Sequence, residues 1–337
     1  MFVLLKEGVT ESEVRGVLDS AEALGVSEAS VTRAGKRTMV RVKGGAAEQA
    51  VRYERLAGVE RVLPSDAPYV LAARATQGCS TEVAVGRALF GGTRVEFIGG
   101  PCAVETESQL RTAAEAVAKA GARMLRGGAF KPRTSPYAFQ GLGERGLELL
   151  RKVADEFELA VVTEVMAPEQ AVLVAQYADM LQIGSRSVQN FPLLEAAART
   201  GKPVLLKRGM MSELDEFLAS AEYILARGNQ QVVLCERGVR SFDKHTRNLL
   251  DVMAVPLLKG LTHLPVVVDP SHATGRSELV APAAYAAVAA GADGLIVEVH
   301  DEPEKALSDG RQALRCAEFQ ALVQTARAIA TAIGRCV

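Results

Sequence analysis

Residues 203–238 read PVLLKRGMMSELDEFLASAEYILARGNQQVVLCERG. An apolar run of strand type, Pro203 to Leu206, breaks at Lys207-Arg208-Gly209, a helical pattern runs from Glu213 to Ala226, and a second apolar run, Gln231 to Leu234, breaks at Cys235-Glu236-Arg237-Gly238. Strand, helix, strand in that order is the alternation of a parallel βαβ unit. The same unit recurs on both sides. Further strand-like runs lie at Val95 to Ile98, Met124 to Leu125, Leu159 to Thr163, Met180 to Ile183, Pro265 to Val268 and Gly294 to Val297, with helical patterns at Glu107 to Ala120, Gly146 to Glu158 and Ala281 to Ala290. Eight such runs predict a (β/α)8 TIM barrel over residues 93–337. An open doubly wound sheet is the alternative, but no GxGxxG turn opens a helix after the first run.

Ahead of the barrel, short strands are predicted at Phe2 to Leu5, Ala29 to Arg33, Thr38 to Val42 and Val59 to Leu63, with helices at Glu11 to Leu24 and Ala46 to Ala57. The order βαββαβ predicts a small ferredoxin-like α+β domain over residues 1–68. Pro64, Ser65, Asp66 and Pro68 break the periodicity, and residues 69–92 read as a connector with one extra strand.

The 337 residues carry 39 basic and 40 acidic side chains, a net charge of -1, so no global field gathers nucleic acid or an anionic membrane. Phosphate binding has to be local. The five cysteines never fall as CxxC, which argues against a disulfide framework or a zinc ribbon and for a reducing compartment. No stretch supplies the ~20 apolar residues of a membrane span. A cytoplasmic protein is expected.

In a barrel of this kind, loops at the carboxyl ends of the strands build the site. Here those ends are rich in reactive groups. Cys102, His272 and Glu298 follow the first, seventh and eighth strands, which adjoin when the barrel closes, and Asp309 lies in the loop beyond. Thiolate, imidazole and carboxylate together suit a borderline divalent ion such as manganese, iron or zinc. Arg126, Lys131, Arg186, Lys207 and Arg237 form a second group of strand-end residues. Five cations crowded at one mouth call for an anion, and a phosphate plus a carboxylate would satisfy them.

Read together, GPCAVE from Gly100, RGGAFKPRTSPYAFQGLG from Arg126, IGSRSVQNF from Ile183, KRG from Lys207, CERG from Cys235, DPSHATGR from Asp269 and EVH from Glu298 carry a family resemblance. Over residues 95–315 the chain resembles the 3-deoxy-D-arabino-heptulosonate 7-phosphate (DAHP) synthases of the type I beta subgroup. The resemblance implies a metal held by Cys102, His272, Glu298 and Asp309, and phosphoenolpyruvate held by Arg126, Lys131, Arg186, Lys207 and Arg237. It implies an aldehyde-substrate motif at Lys131-Pro132-Arg133-Thr134, with Ser185 a further substrate contact. The implied reaction joins phosphoenolpyruvate, erythrose 4-phosphate and water into DAHP and phosphate, the first step of the shikimate route.

Lys131 is the expected proton donor to the new alkoxide, with Glu164, Glu236 and Asp269 as orienting or proton-transfer groups. The N-terminal domain is expected to regulate by binding an aromatic amino acid, and the chain to form a homo-oligomer. Three other readings compete. A related octulosonate synthase typically carries KANRSS where this chain has Lys131-Pro132-Arg133-Thr134-Ser135. A Schiff-base aldolase would use Lys131 or Lys207. A non-catalytic sensor would leave both groups of residues without a task.

Overall fold

The computed structural model describes residues 1–337 except 27, 35–36, 44–48, 64–67, 133–134 and 337, together with the side chain of residue 34. Four antiparallel strands open the chain: β1 (Phe2–Leu5), β2 (Glu28–Ala34), β3 (Arg37–Lys43) and β4 (Val59–Leu63), in the sheet order β2-β3-β1-β4. Helices α1 (Glu11–Ala23) and α2 (Ala50–Glu54) connect them, as the ferredoxin-like reading predicts. The start of α1 is written in the sequence, because Thr10 accepts from the Glu13 amide while the Glu13 carboxylate takes the Thr10 amide at 2.8 Å. Part of the predicted second helix, at 46–48, and the break at 64–66 lie outside the described residues.

One face of this sheet buries Val3, Leu5, Val40 and Val42 with Val14, Val17 and Tyr53. The other face sends Leu4, Met39 and Leu63 into the same apolar cluster as Tyr69 to Ala72 and the outer layer of the large domain. Alternation along β1, β3 and β4 therefore covers both faces.

Eight parallel strands close the barrel: β7 (Glu96–Gly100), β8 (Met124–Arg126), β9 (Ala160–Val165), β10 (Met180–Ile183), β11 (Val204–Lys207), β12 (Val232–Glu236), β13 (Val266–Val268) and β14 (Gly294–Glu298). Outside them lie α3 (Glu107–Lys119), α4 (Glu144–Glu156), α5 (Ala171–Tyr177), α6 (Phe191–Arg199), α7 (Leu214–Ala226), α8 (Ala254–Leu261), α9 (Pro270–Thr274), α10 (Ser277–Ala289) and α11 (Cys316–Ala332). The connector holds a hairpin of two strands, β5 (Val83–Val85) and β6 (Ala88–Phe90), where one was expected. Val83, Val85, Ala88 and Phe90 join the barrel's inward residues Ile98, Met124, Met180, Leu205, Val233, Val267 and Ile296 in one cluster. The hairpin thus plugs the end of the barrel where its strands begin.

That cluster sets the phase of every strand. Two residues past an inward apolar side chain, the next inward position falls at the open end. Met124 is followed by Arg126, Val162 by Glu164, Met180 by Gln182, Leu205 by Lys207, Val267 by Asp269 and Ile296 by Glu298.

Candidate active site

Those inward positions meet in a cavity of about 310 Å3 lined by Arg126, Lys131, Pro132, Glu164, Ser185, Arg186, Lys207, Arg237, Arg247, His272 and Asp309, among others. All five sequence-predicted cations reach it. Arg126 is buried, and among the described residues its Nε and Nη1 find no hydrogen-bond partner. Its nearest opposite charge is Glu298 Oε1, 3.4 Å from Nη1. A buried guanidinium with unmet donors is an incomplete site, since such groups are otherwise paired. Burial also pushes the Arg237 guanidinium below its ordinary value. Lys131 donates to the Cys102 carbonyl at 2.9 Å and contacts its Sγ at 3.0 Å, which puts its ammonium between the two groups of residues.

Beside the cations, donor atoms of Cys102, His272, Glu298 and Asp309 all lie within 4.8 Å of one another. Asp269 caps α9, taking the His272 amide at 2.9 Å and the His272 Nδ1 proton at 2.8 Å. That bond fixes the tautomer, so the Nε2 lone pair faces the cluster, 3.3 Å from Glu298 Oε1. Burial, and then the Glu298 carboxylate, push the Cys102 thiol up to about 12. Burial works against the Asp269 charge, but His272 and Lys207 hold its carboxyl well below the usual range.

A divalent ion fits this donor set. The His272 lone pair faces Glu298 Oε1, and among the described residues that oxygen is buried without a hydrogen bond. A cation would satisfy both and displace the thiol proton.

Glu236 does not line the cavity. Its phase is outward with Leu234, and it pairs with the equally outward Arg208 at 2.9 Å, which also reaches Asp251. Burial raises the Glu236 carboxyl, and the Arg208 bond opposes that shift. Asp269 is engaged by Lys207 and His272, a geometry of orientation. Arg133 and Thr134 lie outside the described residues. Residues unread in the sequence include Gln182 and Arg247, which line the cavity, and Gln312, which bonds Glu298.

Fold and cavity together define a (β/α)8-barrel protein with a candidate metal centre beside a clamp for a small, multiply charged anion. The chain belongs to the DAHP synthetase I family, whose sequence model matches residues 76–333. It is 47% identical over 335 residues to the phospho-2-dehydro-3-deoxyheptonate aldolase of Thermotoga maritima, covering 99% of each chain. The crystal structure of the Thermotoga maritima enzyme superposes with a TM-score of 0.81 at 46% identity, over 100% of this chain and 98% of that one. A truncated form of the 3-deoxy-D-arabino-heptulosonate 7-phosphate synthase from that organism matches 80% of this chain and 99% of its own length, at 47% identity and a TM-score of 0.75. A more distant relative, the 2-dehydro-3-deoxyphosphooctonate aldolase of Koribacter versatilis, is 35% identical over 67% of this chain and 87% of its own.

Proposed function

We propose that this chain condenses phosphoenolpyruvate with erythrose 4-phosphate and water, giving DAHP and phosphate, the entry step of the shikimate route. The observation that carries this reading is the sharing of one cavity by five cations, including a buried Arg126 with unmet donors, and the cluster of Cys102, His272, Glu298 and Asp309.

In this reading Arg126, Lys131, Arg186, Lys207 and Arg237 hold the phosphate and carboxylate of phosphoenolpyruvate. They fix its C3 toward the aldehyde carbon, removing orientational freedom before the bond forms. Lys131-Pro132-Arg133-Thr134 and Ser185 receive the sugar phosphate. Cys102, His272, Glu298 and Asp309 would hold a divalent ion, with manganese, iron and zinc as the candidates, which would supply Lewis-acid polarisation of the aldehyde carbonyl. Lys131 gives its proton to the oxygen that becomes the new hydroxyl. Water adds at C2 and the phosphate leaves. Asp269 keeps His272 and Lys207 in register, and Glu164, on the cavity wall, orients the attacking water.

Among the described residues the N-terminal sheet supplies no group to the cavity, and we assign it to regulation by an aromatic amino acid in a homo-oligomeric, cytoplasmic enzyme. Among the described residues no helix is long and apolar enough to cross a membrane. A chain shortened to begin near Leu71 should keep measurable turnover and lose inhibition by the aromatic amino acid that inhibits the full chain. Equal inhibition of both chains would refute this assignment.

The decisive measurement is phosphate release with erythrose 4-phosphate against arabinose 5-phosphate, with and without chelator. Turnover with the four-carbon sugar that chelator abolishes is expected. Preference for the five-carbon sugar would move the chain to the octulosonate reaction, and borohydride trapping of substrate on Lys131 or Lys207 would move it to Schiff-base chemistry.

A further inference from the structure

Glu298 and Asp309 each turn one carboxylate oxygen toward Cys102 and His272 and the other away. Glu298 Oε1 faces His272 without a hydrogen bond, while Oε2 accepts from Gln312 Nε2 at 2.7 Å. Asp309 Oδ2 lies 3.4 Å from Cys102 Sγ, while Oδ1 takes Arg247 Nη1 at 3.3 Å. The same Nη1 donates to Gln312 Oε1 at 2.9 Å. An amide whose oxygen is claimed by a guanidinium can offer only its NH2 to the next partner. Arg247 therefore fixes Gln312, and Gln312 fixes Glu298.

The surroundings hold this chain of bonds in place. Arg247 N donates to Thr274 O at 2.9 Å and Asn248 N to Ala273 O at 2.8 Å, so the loop after β12 is laced to α9 beside His272. Gly275 has φ +69°, and a Cβ there would lie 2.5 Å from the Arg247 Cβ, so the glycine of DPSHATGR makes room for Arg247. Asp309 is left-handed at φ 54°, ψ 26°. A non-glycine residue keeps that conformation only where its neighbours over-determine it.

We propose that Arg247 and Gln312 are positioning residues for the candidate metal centre, selecting which oxygen of Glu298 and of Asp309 is offered to the cation. Both carboxylates would otherwise be free to rotate or to bind through both oxygens. The relay presents one oxygen from each alongside Cys102 and His272. It rests on the metal reading above, and the test separates the two.

The full chain, stripped with chelator, is titrated with Mn2+ and the free ion followed by electron paramagnetic resonance. Gln312→Met removes the donor at nearly constant volume, and Arg247→Lys keeps the charge on a side chain one atom shorter, drawing it back from the place where Nη1 meets both Asp309 and Gln312. Outer-shell partners of this kind are worth roughly 10 to 100-fold in metal affinity. Gln312→Met should weaken Mn2+ binding by about that factor and Arg247→Lys by about tenfold, with phosphoenolpyruvate binding to the metal-free chain, read by calorimetry, essentially unchanged in Gln312→Met. In the Co2+ form the thiolate charge-transfer band should persist in both variants while the ligand-field bands shift, because Cys102 is outside the relay. Mn2+ affinities within twofold of the parent overturn the proposal, and so does a lowered melting temperature with unaltered affinity, which marks a structural role. If Gln312→Met does not fold, Arg247→Lys decides alone. A parent chain that binds no divalent ion removes the metal reading itself.

Discussion

Asp293, where the barrel strands begin, and Arg126 and Glu298, where they end, hold buried charge in opposite ways. Where the strands begin, Asp293 accepts from Lys259, Arg335 and the Val266 amide, at 2.7, 2.9 and 2.8 Å. Arg335 spends its remaining donors on the carbonyls of Gly92, Thr93, Arg94, Gly291 and Ala292. Where the strands end, Arg126 keeps unmet N–H groups and Glu298 an unmet oxygen, both out of contact with water. Satisfied buried charges hold a chain together; unsatisfied ones wait for something the chain lacks. The contrast teaches where to look for function, and each experiment below attacks one side of it.

The largest effect is expected at the mouth. Cys102→Ser swaps a soft ligand for a hard one, and Lewis-acid polarisation supplies several kcal/mol of transition-state stabilisation. A fall in kcat/KM of at least about 100-fold is expected, each 1.36 kcal/mol being tenfold, with the melting temperature near the parent's. Full activity in a demonstrably metal-free preparation would remove the metal from the reaction.

At the opposite end, Asp293→Ala leaves Arg335 and Lys259 without their carboxylate. Breaking a buried ion pair from one side destabilises by about 3 to 5 kcal/mol. Denaturant melts should show this loss while kcat of the folded fraction stays unchanged. An unstable variant with impaired kcat would mean that the two ends are coupled.

The clamp lies between these extremes. Lys207→Ala and Arg237→Ala each delete a charge-assisted hydrogen bond worth roughly 1.5 to 3 kcal/mol, or about ten to a hundredfold in KM for phosphoenolpyruvate. KM for the aldehyde should move less. Unaltered phosphoenolpyruvate kinetics in both variants would remove Lys207 and Arg237 from the anion clamp.

Much of this was legible because both signals are periodic. Strand runs and the charged residues that end them, from Arg126 to Glu298, follow from alternation and from the rule that a barrel's mouth lies at its strand ends. The same alternation, carried two residues further, separates Lys207 from Arg208 and Arg237 from Glu236, and so sends Glu236 to an ion pair outside the barrel. That signal was present in the sequence and went unused. Arg247 and Gln312 left none, since neither ends a strand and each finds its partner more than ten residues away. Pairing across loops is a tertiary fact.

Two histidines carry the comparison down to a single side chain. His272 has one ring nitrogen bonded to Asp269 and the other left facing the cluster. His263 has both engaged: Nε2 donates to the Leu71 carbonyl at 2.7 Å, and Nδ1 accepts from the Thr81 hydroxyl at 2.6 Å. It ties the connector to the segment that leads into β13. Burial lowers the affinity of His263 for a proton, only partly offset by the Leu71 carbonyl, with Arg74 and Arg37 adding to the lowering. The folded chain thus keeps this ring neutral at pH values where the unfolded chain protonates it. Its contribution is fully present above the unfolded value of about 6.5 and is lost as pH falls through the folded one. His263→Gln can mimic both bonds, its NH2 toward Leu71 and its oxygen toward Thr81, without titrating. The parent should therefore lose more stability than His263→Gln between pH 7 and pH 5, in melts recorded side by side, and the two should run parallel above pH 7. Parallel curves across the whole range would mean that His263 is not held neutral by the fold.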